Sequence, residues 1–303
     1  MSKLVSKPQD ESVVTESRWQ SLKQFTSARI ALGRTGTSIP TGELLDFQLD
    51  HARAIDAVHR ALDVATLNQQ LVASHSLSHV ITTPPLLVQS KASDRMVYLQ
   101  RPDLGRQLSE ACWQQLCDAR AEYHHQEQRQ EQHKGQHQGQ QEYDLAIVVA
   151  DGLSSTAIQK HALPVIERLV EKLSGDDAHT WSLAPITIVT QGRVAVGDDV
   201  GECLNAKITL IMIGERPGLT SPDSMGIYLT WAPKRGAKDS SRNCISNIRP
   251  EGLPYEEAAH KAHYLLSESM KLQLTGIGLK DRSVGLEEEA QLESDATSSF
   301  LIG

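Results

Sequence analysis

The chain has 303 residues, 39% of them apolar, with a formal net charge of -8 and an isoelectric point near 5.8. That acidity argues against nucleic acid or an anionic membrane as the main partner, and no apolar stretch approaches the roughly 20 residues a membrane helix needs. Four cysteines, Cys112, Cys117, Cys203 and Cys244, share no C-x-x-C or zinc spacing, and the N-terminus lacks the apolar core of a secretory signal. A cytoplasmic protein without a disulfide framework is expected.

Residues 1–28 are polar, with Trp19, Leu22 and Phe25 at spacings a helix can use, so a frayed tail and an amphipathic docking helix are both open. GRTGTS from Gly33 lacks the Lys-Ser/Thr pair of a phosphate loop. Pro40 and Thr41 start a helix whose positions Leu45, Leu49, Ala52, Ile55, Val58 and Leu62 are expected to face the core. Its other face carries Asp46, Asp50, His51, Arg53, Asp56 and Arg60, either laced by salt bridges or docked on a partner. The run 96–99 predicts a short strand and 106–117 a helix, which makes 29–120 a mostly helical N-terminal region. In 121–142 the composition turns almost entirely to Gln, His, Glu, Lys and Gly, a solvated insertion with too little apolar surface to pack. Its histidines lack the carboxylate or cysteine partners that fix a metal, and no metal site is predicted.

From Asp144 strands alternate with helices. The apolar run 145–150 ends in DGLSS, a helix follows over 156–173, and 185–190 is the next strand with QGRV as its loop. Asp198, Asp199 and Glu202 open the next helix, where negative charge suits the dipole. A third buried strand, 208–213, breaks off in GERPG, and the runs 226–232 and 243–248 follow, so three strand ends are expected to face one crevice. Pro254 starts the last long helix. The pattern predicts an α/β fold, a Rossmann-like, mainly parallel sheet over 143–282, with a flexible acidic tail at 283–303. G-x-G-x-x-G is absent after every strand, which disfavours NAD. Glu215 either pairs with the adjacent Arg216 or accepts hydrogen bonds from a ligand, and Cys244 reads by default as a packed thiol.

GERPGL, SPDSMGIYLTWAP and RNCISNIRPEG resemble the small (light) subunit of ethanolamine ammonia-lyase. So do ARIALGRTG, FQLDHARAIDAV, YLQRPDLGRQL, DLAIVVADGLSS and QGRVAVGDDVGE, and together these run in family order over 29–280. The resemblance implies adenosylcobalamin as cofactor and a large barrel-shaped catalytic subunit that holds the substrate. It implies a radical conversion of ethanolamine to acetaldehyde and ammonia, with this chain covering the cobalamin and inactive alone. It further implies residence in a bacterial microcompartment, where short N-terminal helices serve as packing signals for shell or cargo proteins. Carried onto matching motifs, the family's cobalamin contacts fall on Val194 in QGRV, Glu215 in GERPG and Cys244 in RNCISN. Glu215 would accept from a corrin amide or ribose hydroxyl, Val194 would offer backbone or an apolar edge, and Cys244 would pack against the ring. No residue is assigned a catalytic role. Asp50-His51 lacks the spacing and the later glycine of D-x-H-x-x-G, so the cofactor is expected base-on. Two other readings are a cofactor-free microcompartment adaptor and a free-standing Rossmann-type enzyme.

Overall fold

A computed structural model describes residues 13–26, 28–78, 83–131 and 142–283. The expectations for 1–12, for 132–141 of the insertion and for the tail from 284 lie outside the described residues.

Helix α1 (Thr41–His59) is entered through Pro40, whose fixed φ suits the turn into a helix. In α2 (Val64–Ala73) the Asp63 carboxylate caps the Thr66 amide at 3.0 Å. Strand β1 (Leu86–Gln89) follows Pro84-Pro85, α3 (Arg95–Gln100) starts on Asp94, and α4 (Glu110–Glu131) comes next. The remaining elements are β2 (Tyr143–Ala150), α5 (Ser155–Ser174), β3 (Thr187–Thr190), α6 (Val196–Leu204), β4 (Ala206–Gly214), β5 (Met225–Trp231), β6 (Arg242–Ile248) and α7 (Tyr255–Leu272).

The six strands form one sheet in the order β1-β3-β2-β4-β5-β6. Pairs among β1, β3, β2 and β4 are parallel, whereas β5 and β6 are antiparallel additions. The sheet is therefore mixed. The physical reason is length: only residues 215–224 join β4 to β5, fewer than the roughly dozen residues a parallel crossover needs. One face, with Ile147, Val149, Leu210, Met212, Ile227 and Leu229, packs against α2, α5 and α7. The opposite face, with Val148, Ile211 and Ile213, packs against Leu116 of α4 and Val200 and Leu204 of α6. All eight residues of β2 are buried, which is why its sequence reads as an unbroken apolar run.

Three expectations are corrected. The run 96–99 lies in α3, because the Asp94 carboxylate caps the Val97 amide at 2.9 Å and fixes a first helical turn. Helix α4 starts at Glu110 and runs on to Glu131, past the expected end at 117, so 121–131 are helical. On α1, Ala54 and Ala57 are the buried positions, and Leu45, Leu49 and Ile55 are exposed. The helix is turned by roughly half a revolution from the expected orientation because its inward side is held by ion pairs, Lys23 with Glu43 and Arg29 with Asp50.

After α7 the chain clasps the start of β6. Thr275 Oγ1 donates to the Ser241 carbonyl at 2.6 Å and accepts from the Trp231 amide at 2.8 Å. Asn243 completes the clasp, its amide group bonding the Gly276 amide at 2.7 Å and the Leu279 carbonyl at 2.7 Å. Among the described residues no helix is long and apolar enough to cross a membrane.

Candidate functional site

The carboxyl ends of β2, β3 and β4 define one rim, and the start of β5 and the end of β6 reach it because those strands run antiparallel. Helices α5 and α6, which follow β2 and β3, lie on opposite faces of the sheet, so the chain leaves these neighbouring strand ends in opposite directions. Asp151 is buried between the two ends. Its carboxylate accepts from the Gln191 and Gly192 amides, each at 2.9 Å, with Arg95 at 3.5 Å. Burial pushes this carboxyl above its ordinary range, against those amides and Arg95, which favour the charged form. Arg95 also donates to the Gly152 carbonyl at 2.7 Å, and the Arg95 and Arg193 guanidinium groups lie over the Tyr98 ring, 4.7 and 4.2 Å from its centroid. Gln191 Oε1, Arg193 Nε and Arg95 Nη2 are buried here without a hydrogen-bond partner.

Beside Asp151 the backbones of two strand ends touch. A Cβ on Gly214 would lie 2.0 Å from the Ser154 carbonyl oxygen, so only glycine lets β4 end there. The next residue, Glu215, is half-buried, and its carboxylate accepts from the Ser224 hydroxyl and from the Asn247 amide at 3.3 Å. Its partners are thus Ser224 and Asn247, and pairing with Arg216 is not what holds it. Gly226 makes room for it, since a Cβ there would stand 3.0 Å from Glu215 Oε1.

Cys244 lies mid-strand in β6, registered against Tyr228 of β5. It is exposed, which corrects the packed-core reading, because neither α4 nor α6 reaches over this part of the sheet. Its thiol bonds the Tyr228 hydroxyl, and partial desolvation, then Glu215, hold the thiol above its usual range despite that bond. Desolvation likewise raises Tyr228, with Cys244 and Glu215 adding to it, so a neutral phenol faces a neutral thiol. Val194 is half-buried after β3 and packs into the same hydrophobic cluster as Tyr228, Ile213 and Ala150. Glu215 and Cys244 therefore share a patch through Tyr228, and Val194 belongs to the same face of the sheet one strand beyond β2, so the three do not come from three neighbouring βα edges.

A profile of the family described as ethanolamine ammonia-lyase light chain matches residues 16–280. The chain is 50% identical over 289 residues, 95% of each chain, to the ethanolamine ammonia-lyase small subunit of Pseudomonas aeruginosa strain UCBPP-PA14. It is 49% identical over 97% of its length to the protein of that name from Azotobacter vinelandii, covering 98% of that chain, and 47% identical to one from Pseudomonas fluorescens strain Pf-5, covering 95% and 96%. The chain belongs to the ethanolamine ammonia-lyase small-subunit family. It is therefore a subunit of a carbon-nitrogen lyase.

A thiol and a phenol both shifted toward their neutral forms make poor nucleophiles and bases at neutral pH. Sequence reasoning missed Tyr228, and one signal existed for it. Gly226, Tyr228 and Thr230 alternate along one side of β5, and a large aromatic between two small residues marks the side with room. It also missed Asp151, Gln191 and Arg193 as a group, since they meet only through the strand order.

Proposed function

We propose that this chain, together with a large catalytic subunit, covers adenosylcobalamin in the conversion of ethanolamine to acetaldehyde and ammonia, and is inactive alone. The relatives' shared name, small subunit, supports a large partner. The observation that carries the cofactor reading is the open face of Tyr228 on β5 and Cys244 on β6, with Glu215 beside them at the end of β4. Corrin is fringed by amides, each a donor and an acceptor, and the fit is to short polar groups beside an apolar surface. Glu215 would accept from one such amide or a ribose hydroxyl, and Tyr228 and Cys244 would lie against the ring's rim. The unpartnered Gln191 Oε1 and Arg193 Nε, an acceptor and a donor beside Val194, support extension of the site along the rim. When bound, the cofactor supplies an organic radical by homolysis of its cobalt-carbon bond, while the protein supplies placement and exclusion of water. The cofactor keeps its own base on cobalt in this reading. Asp50 and His51 support that, since Asp50 is engaged by Arg29 and Arg53 and His51 stacks on Phe47.

Titration of adenosylcobalamin into the assembled complex tests the reading. Glu215→Ala should weaken binding by roughly 1.5 to 3 kcal/mol, about one to two decades, because a charged acceptor is lost from a desolvated contact. Wild-type affinity in an intact complex would assign Glu215 to the Ser224 and Asn247 bonds alone. Exposure of Trp19, Leu22 and Phe25 on a short 3-10 turn supports an N-terminal docking segment suited to packing in a microcompartment. Unchanged localisation after deletion of 1–28 would remove that part of the reading.

A further inference from the structure

We infer that Asp151 is a positioning residue for the rim: its carboxylate holds the turn 191–194 in a set shape before any ligand arrives, and so fixes where Val194 meets the corrin. This step rests on the cofactor reading above. Gln191 has a φ of 56°, in the left-handed region that a residue with a side chain keeps only when its surroundings hold it there. Asn205 and Gln273 adopt the same conformation as the caps that end α6 and α7, each with its amide closing back on the last helical turn. Gln191 follows a strand instead, and its amide points at Asp151. That carboxylate takes the Gln191 and Gly192 amides together, one on each oxygen. Successive amides turned to one point form the concavity that proteins use for a bound anion, and here the chain's own carboxylate fills it.

Both carbonyls and the next amide of the turn are held as well. The Ser90 hydroxyl donates to the Gln191 carbonyl at 2.7 Å, the Tyr98 hydroxyl to the Gly192 carbonyl at 3.2 Å, and the Arg193 amide to the Gly105 carbonyl at 2.7 Å. Gly105 admits no side chain, since a Cβ there would stand 2.9 Å from Arg193 Cγ and 3.1 Å from the Gln191 carbonyl oxygen. Residues following β2 and β1, the helix α3 and the turn behind it thus converge on three successive peptide groups. Burial opposes the charge on the Asp151 carboxylate, so the arrangement costs stability twice, in a buried charge and in a left-handed residue. Strain of this kind collects where a surface must be shaped in advance for a ligand. Val194, half-buried and next in the chain after Arg193, is the residue so placed, in the same cluster as Tyr228.

The test uses the assembled complex of this chain with its large subunit, adenosylcobalamin as the probe, and a temperature well below melting. Asp151→Asn keeps the shape of the side chain but turns an amino group toward one of the two amides, so affinity should fall by about tenfold, the scale of one released left-handed residue. Hydrogen exchange gives a readout that needs no cofactor. In the cobalamin-free complex the Gln191 and Gly192 amides should be protected in wild type and exchange faster in the variant. A clamp that only stabilises the fold would lower the melting temperature and leave the affinity of the folded complex at its wild-type value, which overturns the inference; so do unprotected amides at 191 and 192 in wild type. Should Asp151→Asn fail to fold, Tyr98→Phe, which keeps the ring and removes only the bond to Gly192, should still weaken binding by about threefold. Wild-type affinity in that variant overturns the inference equally. The two readings fail separately, because Glu215→Ala leaves the turn untouched. Weakened binding with Glu215→Ala and none with Asp151→Asn sinks this inference alone, whereas a wild-type complex that takes up no adenosylcobalamin sinks both.

Discussion

Strands β2 and β6 belong to one sheet and meet opposite fates. Every residue of β2 is buried, between α5 on one side and α6 on the other, whereas β6 buries only Arg242, Ile245 and Ile248. The parallel half is closed on both faces and carries shape; the antiparallel half is closed on one face and carries the open patch. Helices after β1, β2 and β3 supply cover for the parallel strands, and the direct 215–224 connection after β4 supplies none. An exposed face is thus what remains when a sheet is extended by hairpin rather than by crossover.

The sharpest way to break this contrast is at Arg242, where the open half is fastened to the closed one. Its guanidinium bonds Asp198 of α6 at 2.6 Å and Thr230 at 3.0 Å, and the side chains of Arg242 and Asp198 are 2% and 1% exposed. Arg242→Ala leaves Asp198 buried and unpaired, and urea unfolding should show a loss of about 3–5 kcal/mol. A loss below about 1 kcal/mol would mean that the pair does not join the halves. Within the closed half, Leu210→Ala should cost about 2–5 kcal/mol, because packed helices on that face prevent collapse around the cavity.

A smaller effect separates the halves by pH. His161 of α5 is buried and bonds the Tyr255 hydroxyl at 2.8 Å; Asp223 stands 3.9 Å from its other nitrogen. Burial pushes its pKa below the ordinary 6.5, with Lys160 acting the same way and Asp223 and Glu251 opposing. As pH falls below about 6.5 the unfolded chain takes up a proton that the folded chain refuses, so stability declines through that window. His161→Gln should flatten the fall in melting temperature between about pH 7 and 5; an unaltered slope would place the titration elsewhere. The smallest change is expected on the open patch itself. Cys244→Ser should move stability by no more than about 0.5 kcal/mol, since its side chain is at the surface.

How much could be read without coordinates follows the same division. Strands β2 and β4 were legible because burial on both faces leaves an unbroken apolar signature, and α5 and α7 because one face of each is buried. Glu215 was legible as a loop carboxylate, but its Ser224 and Asn247 partners depend on β5 and β6 running antiparallel. The length of 215–224 holds that information, since it is too short for a parallel crossover. Strand β1, four residues long, carried too few positions for a period to show. On α1 the apolar spacing was legible and its direction was not, since periodicity says which residues share a face and nothing about whose surface that face meets.

The clasp formed by Thr275, Gly276 and Leu279 on the start of β6 has a consequence for synthesis. Translation delivers β5 and β6 well before the turn that fastens them, so for an interval the Trp231 amide and the Ser241 carbonyl lack the Thr275 hydroxyl that joins them. A chain that ended just short of Thr275 would keep the Arg242–Asp198 pair and lose only the corner where β5 ends and β6 begins.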